Sequence, residues 1–270
     1  MVSENMNLDN KIAVITGAGS GIGRAGAILF SKKGAKVVVS DISIDSANKV
    51  VDEIEVLGGK AIAVECDVSS ASSVKNMIDI CEEKFGCVDV LYTNANDNNL
   101  VNNKDANVTE LDELVFDRIH AVVLKGTFLC AKYAGISMIK NKGGSMIFTS
   151  TVDAQIGTPE LDAYSSAKGG VISLTRSIAA SLCKYNIRVN SISPCFVSTE
   201  GQKKFINNNE LKSELEKLHM LGIPEAQDIV PMAAFLASDD AKFITGGIHQ
   251  VDSGYLSFKC KSINISNIIS

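Results

Sequence analysis

Short runs of β-branched and aliphatic residues alternate along the chain with longer stretches whose apolar positions recur every three or four residues. The short runs are "KIAVIT" (11–16), "AKVVVSD" (35–41), "KAIAVECDV" (60–68), "VDVLYTN" (88–94), "GSMIFTS" (144–150), "IRVNSISP" (187–194) and "GIHQVD" (247–252). Each reads as a strand bounded by polar or glycine-containing turns. The stretches between them have helical spacing, as where Ala47, Val50, Val51, Ile54 and Leu57 share one face. Near-continuous apolar strands alternating with helices predict an α/β fold, a doubly wound parallel sheet of about seven strands with helices on both faces. With four prolines, no internal repeat and no Pro-, Gly- or Ser-rich linker, residues 1–270 are expected to form one domain.

Two segments stand apart from this alternation. Residues 195–224 follow a strand, are long, and carry Leu211, Leu215 and Leu218 at helical spacing. At the C-terminal end of a strand such an insertion overhangs the crevice where ligands bind, so a substrate lid is expected, with a plain surface excursion as the alternative. Residues 256–270 are expected to be a C-terminal extension.

Composition narrows the function classes. The chain is 46% hydrophobic and 21% charged, ordinary for a globular protein, and its net charge of -5 argues against nucleic acid as a partner. The apolar region 121–139 is interrupted by Lys125 and Lys132 and is not expected to span a membrane. The polar start "MVSENMNLDNK" lacks the apolar stretch of a signal peptide. Seven scattered cysteines without a CxxC pair, Cys260 among them, are expected as free thiols in a reducing cytoplasm. His120, His219 and His249 lie far apart and away from cysteine at ligand spacing, so no metal is expected.

Chemistry concentrates first in "TGAGSGIG" (16–23), between a strand and a helix. Gly17 permits the tight turn, Gly21 lets backbone approach a pyrophosphate, and Gly23 lets helix and strand pack closely, with Ser20 and Ile22 on the same turn. The helix N-terminus offers N–H groups and partial positive charge to phosphates. Asp41 ends the next strand, 18 residues after Gly23, near the offset of about 20 for an acid that accepts hydrogen bonds from ribose hydroxyls. It would repel a 2′-phosphate, and Ser20, Ile42 and Ser43 offer no cation to hold one, so NAD is the expected cofactor. A turn aspartate is the alternative for Asp41.

The second concentration is "DAYSSAKGG" (162–170), with Tyr164 and Lys168 one helical turn apart among small residues. With "TGAGSGIG", "CDV", "FGCVDVLYTNA", "IRVNSISP" and "ITGGIHQVDSGY" in this order, the chain resembles the classical short-chain dehydrogenase/reductase family over nearly its whole length. The resemblance implies a Rossmann-like fold, a nicotinamide cofactor, and hydride exchange between an alcohol and a carbonyl. It implies Asp67 and Val68 near adenine, Asn94 and Ala95 along the cofactor, and Pro194, Val197 and Thr199 near the nicotinamide and diphosphate. Tyr164 is then the acid/base, its phenolate favoured by the Lys168 ammonium and by the positive nicotinamide, because a free phenol with a pKa of about 10 is a poor base at neutral pH. The family's usual assembly, through helices near 112–139 and 164–184, implies a homodimer or homotetramer.

Departures from the family pattern sharpen the expectation. Thr151 stands where a serine is usual, thirteen residues before Tyr164, and is expected to anchor the substrate oxygen. Val123 stands where a relay asparagine is usual, which bears on proton exchange. Asn96, Asp153, Gln155 and Cys195 are expected to line the substrate pocket, favouring a small polar substrate. The leading expectation is an NAD-dependent secondary alcohol dehydrogenase or ketone reductase. The alternatives are a dinucleotide-binding protein with weak or no catalysis, and an NADPH-dependent oxoacyl-carrier ketoreductase.

Overall fold

A computed structural model describes residues 6–257; Cys260 and most of the expected extension at 256–270 lie outside the described residues. Each of the seven apolar runs contains a strand: β1 (Ile12–Thr16), β2 (Lys36–Asp41), β3 (Lys60–Glu65), β4 (Val90–Thr93), β5 (Gly144–Thr149), β6 (Ile187–Pro194) and β7 (Ile248–Val251). All pair in parallel, in the order β3-β2-β1-β4-β5-β6-β7. The order reverses between β1 and β4, and this switch point opens a crevice beyond the C-terminal strand ends.

Both faces of the sheet are covered, so strand residues alternate between two cores instead of between core and water. Val14, Val38, Met146 and Phe148 belong to one core, with α3 (Ala71–Lys84), α6 (Gly126–Lys140) and α7 (Asp162–Leu182). Ala13, Ile15, Val37, Val39 and Ile147 belong to the other, with α1 (Gly21–Lys32), α2 (Ile44–Val56) and α10 (Ala226–Ala237). The remaining helices are α4 (Asn98–Lys104), α5 (Glu113–His120), α8 (Lys203–Ile206) and α9 (Asn209–Leu218).

Between α5 and α6, Ala121–Lys125 form a π-helical turn, so 113–140 run as one helical rod. Its 28 residues are long and apolar enough to cross a membrane by length and composition, yet it is the core helix of this fold. Val123 is buried in that core, and its carbonyl accepts a hydrogen bond from the Thr127 hydroxyl at 2.7 Å. The outer side of the rod leaves Phe116, Phe128 and Ile136 exposed. All six described cysteines are free thiols.

The second core depends on aromatic packing. Phe30 of α1 is fully buried and stacks on Tyr92 of β4 with ring centroids 5.8 Å apart. Phe30→Ala is expected to cost about 3–5 kcal/mol of unfolding free energy, read from the midpoint of a urea titration at unchanged m-value.

Candidate active site

The strand ends deliver their following residues into one cavity of about 710 Å³. Gly17 follows β1, Asp41 ends β2, Asn94 follows β4, Ser150 and Thr151 follow β5, and Pro194, Cys195 and Val197 come from the end of β6 and just beyond it. Ser20, Gly21, Ile22, Gly23, Asn96, Asp153, Tyr164, Lys168 and Thr199 line it as well. Most of the residues singled out in the sequence, spread from 17 to 199, thus meet in one place.

Four of them do not line it. The Asp67 carboxylate accepts hydrogen bonds from the Ser69 N–H and hydroxyl at 2.9 and 2.7 Å and faces Arg118 at 3.6 Å. Val68 is buried against Gly126 of α6, and the Ala95 backbone packs behind the glycine turn. Gln155, expected in the substrate region, is a correction of a different kind. The 3-10 turn Val152–Ala154 swings the chain outward, leaving Gln155 exposed, with its side-chain carbonyl accepting from the Gln250 amide at 3.2 Å.

The glycine turn has the form an anion needs. Gly17 and Gly21 adopt φ of +61° and +53°, a left-handed backbone that favours glycine. A Cβ on Gly23 would lie 2.2 Å from the Gly17 carbonyl oxygen, so α1 starts hard against the turn. A Cβ on Gly21 would meet only Thr199, 3.5 Å away across the cavity. Ser43, Ser70, Asp97, Asp112 and Asn208 all cap their helices with side-chain oxygens, whereas Ser20 makes no such bond at α1. The N-terminus of α1 therefore keeps free N–H capacity facing the cavity. Nearby, Asn94 Nδ2 and Asn96 Oδ1 are buried without partners. A dinucleotide fits this cradle: phosphates at an uncapped helix start, and amide groups awaiting polar atoms.

Asp41 serves the turn and the cavity together. Its Oδ2 accepts from the Gly19 N–H at 2.9 Å and its Oδ1 from the Ser43 N–H at 3.0 Å. Asp41 is therefore a turn aspartate that also lines the cavity. Arg24, one turn into α1, is engaged by Glu53 through both of its carboxylate oxygens.

At the opposite end, α7 presents Tyr164 and Lys168 on one face. The Lys168 Nζ is buried, donates to the Thr149 carbonyl at 2.7 Å, and lies 5.6 Å from the centre of the Tyr164 ring. Burial pulls its pKa down to about 8. Burial, then the Asp153 carboxylate, push the Tyr164 phenol well above its ordinary value, opposed by the Thr151 hydroxyl. In the protein by itself, without the nicotinamide charge that the expectation also invokes, burial outweighs the ammonium, which donates to Thr149. Cys195 is no nucleophile, since burial pushes its thiol up to about 12.

Several contributors were not read from the sequence. Asp105 supplies the cap that Leu161, at the start of α7, cannot: its carboxylate accepts from the Ala163 and Tyr164 N–H groups at 3.1 and 2.9 Å. It acts from 59 residues away, a separation that no local pattern reveals. The Thr149 hydroxyl donates to Asn94 Oδ1 at 2.7 Å, tying β5 to the residue after β4. From residues 195–224, Phe196, Phe205, Leu211, Leu215 and Leu218 form an apolar wall, and Tyr255 closes the side. Helical periodicity signalled the three leucines, whereas the phenylalanines gave no periodic signal.

These features define a doubly wound α/β domain whose crevice brings the glycine turn and the Tyr164–Lys168 pair together. A model of the family described as enoyl-(acyl carrier protein) reductase matches residues 17–256. The chain is 37% identical over 258 residues to an uncharacterized oxidoreductase of Bacillus subtilis (strain 168), covering 93% of each chain. It is 35% identical over 250 residues to cyclohexanol dehydrogenase of Acinetobacter sp. (strain SE19), covering 92% of this chain and 96% of that one. A structure of 7 alpha-hydroxysteroid dehydrogenase complexed with NADH and 7-oxo glycochenodeoxycholic acid superposes with a TM-score of 0.88 at 34% identity, covering 94% and 97% of the two chains. The chain belongs to the short-chain dehydrogenase/reductase family and is an oxidoreductase of that family.

Two predictions follow from the α7 geometry. Asp105→Ala is expected to lower stability by about 1 kcal/mol, the usual worth of a helix cap, with Asp105→Asn losing less on thermal denaturation. Lys168 has a folded pKa near 8 against an ordinary value of 10.5, so the unfolded chain binds more protons between them and stability rises with pH across that window. Lys168→Met is therefore expected to melt at or above the wild-type temperature at pH 7, with its relative advantage shrinking toward pH 10.

Proposed function

We propose that the protein is an NAD(H)-dependent oxidoreductase interconverting a secondary alcohol and a ketone. The observation that carries this reading is the convergence of Tyr164, Lys168 and Thr151 in the same cavity as the glycine turn and Asp41. The names of two relatives, a cyclohexanol dehydrogenase and a 7alpha-hydroxysteroid dehydrogenase, support a secondary carbinol as the reacting group. The NADH in the solved steroid dehydrogenase supports the nicotinamide cofactor.

Bound nicotinamide dinucleotide would supply the hydride acceptor or donor. The start of α1, with Gly17, Ser20, Gly21, Ile22 and Gly23, would hold its phosphates. Asp41 would hold the adenosine ribose, while Asn94, Pro194, Val197 and Thr199 line the path toward Tyr164. Asp67, Val68 and Ala95 would meet the cofactor at the cavity margin. Asp41 disfavours a 2′-phosphate, and Arg24, already paired with Glu53, is not offered to one.

Tyr164 would take the alcohol proton in oxidation and return it in reduction, flanked by the Thr151 hydroxyl. Lys168 fixes the helix register that aims the phenol and lends positive charge to the phenolate. Residues 195–224 would act as a lid whose apolar wall excludes water, while Asn96, Asp153 and Cys195 line the substrate end. The substrate is thus small, polar at the reacting end, and tolerant of an apolar remainder. The exposed Phe116, Phe128 and Ile136 favour assembly through the α5–α6 rod into a homodimer or homotetramer, and the free thiols favour a cytoplasmic setting.

A second reading, cofactor binding with weak or no turnover, is favoured by one observation. Val123 has no polar side chain to hold a relay water, and its carbonyl already serves Thr127. The test is NAD⁺ reduction over a panel of secondary alcohols and polyols. Turnover is expected, reduced by at least about 10²-fold in Tyr164→Phe at unchanged NADH affinity. NADH is expected to bind at least about 10-fold more tightly than NADPH, a difference erased by Asp41→Ala, which removes the like charge. Tight NADH binding without turnover would favour the second reading, and tighter NADPH binding an oxoacyl-carrier ketoreductase.

A further inference from the structure

Asp153 has a constellation of its own within the cavity. It lies on the 3-10 turn just after β5, two residues beyond Thr151. Its Oδ2 accepts the Thr151 hydroxyl at 2.9 Å and its Oδ1 the Thr158 hydroxyl at 2.7 Å. Two carboxylate oxygens offer about four acceptor positions, so these bonds leave roughly half of them open. Among the described residues the carboxylate makes no ion pair. Lys168, the one cation lining the cavity, is buried and donates to Thr149 instead. Asn96 Oδ1, which lines the same cavity, is a buried acceptor without a donor. The cavity thus holds acceptor capacity that the protein itself leaves open.

The Thr151 hydroxyl has a single hydrogen, and Asp153 holds it. Unless that bond breaks, Thr151 meets the substrate oxygen as an acceptor, and its Asp153 partner lies one hydrogen bond farther on. A donor on the carbon next to the carbinol would be placed to use the open lone pairs of Asp153. A substrate lacking the donor would leave that capacity unused, and one with a carboxylate there would meet like charge in a partly dry cavity.

We infer that Asp153 determines specificity by selecting substrates with a hydrogen-bond donor adjacent to the reacting carbinol, a vicinal hydroxyl or an ammonium, and by rejecting a carboxylate at that place. The inference rests on the reading of this cavity as the oxidoreductase site. Asp153 also raises the Tyr164 phenol, an effect common to all substrates, so its part in specificity is read in the ratios between them.

Four secondary alcohols of similar size separate the terms: 2-butanol, 2,3-butanediol, 1-amino-2-propanol and lactate. With the NAD⁺-loaded protein, kcat/KM for the diol or the amino alcohol is expected to exceed that for 2-butanol by at least about 10-fold, the worth of one unpaired buried acceptor. Lactate is expected to fall below 2-butanol by a similar factor. The two donor arms differ in charge, so their order identifies whether hydroxyl or ammonium is preferred. Asp153→Ala should bring the diol down to 2-butanol, while the isosteric Asp153→Asn should raise lactate and lower the amino alcohol. Calorimetric affinities of the four compounds for the NADH-loaded protein should fall in the same order. The inference is overturned if Asp153→Ala scales all four alike, if lactate matches the diol, or if the diol binds no better than 2-butanol. Absence of turnover on every alcohol would overturn the oxidoreductase reading alone, because the binding order still judges Asp153.

Discussion

Lys168 reaches from the first turns of α7 to the carbonyl of Thr149, 2.7 Å away at the end of β5, and it does so out of contact with bulk water. That one hydrogen bond fixes where the helix sits relative to the sheet. The Thr149 hydroxyl passes the constraint to Asn94, and the Ser150 hydroxyl returns it by donating to the Lys168 carbonyl at 3.1 Å. Tyr164, one turn earlier, is thereby held over the crevice. The burial that makes the lysine a precise anchor also pulls its pKa down to about 8, so the anchor is held against a desolvation cost.

Two carboxylates act at the start of α7. At its start Asp105 takes the Ala163 and Tyr164 N–H groups, while Asp153 sits close enough to oppose a phenolate on Tyr164. The resting protein therefore keeps its phenol protonated. A site poised this way gains a base only when positive charge arrives near the phenol, which is what an oxidised nicotinamide would bring. Under the proposed function, acid/base power and cofactor occupancy would thus be coupled by electrostatics.

The sheet was legible from the chain because both of its faces are buried, and strands such as "KVVVS" have no polar phase to confuse the pattern. The glycine turn and the Tyr164–Lys168 pair were legible because their chemistry is local, within eight and five residues. What sequence could not reveal is what folding brings from afar. Asp105 caps α7 across 59 positions, and Arg24 is taken by Glu53 across 29. Gln155 went astray because a 3-10 turn after β5 breaks the alternation that would have pointed it inward. Phe196 and Phe205 meet edge to face 6.0 Å apart only because the 195–224 segment folds back over the crevice.

The central claim is that Tyr164, Lys168 and the glycine turn serve one hydride transfer. The most direct measurement follows deuterium from the carbinol carbon of a secondary alcohol deuterated at that carbon into NADH, by mass spectrometry, in wild type and in Tyr164→Phe. The account predicts label in the NADH formed by wild type, and in Tyr164→Phe far slower labelling with NADH affinity intact. Undiminished labelling without Tyr164, or NADH bound tightly by a wild type that never acquires label, would contradict it.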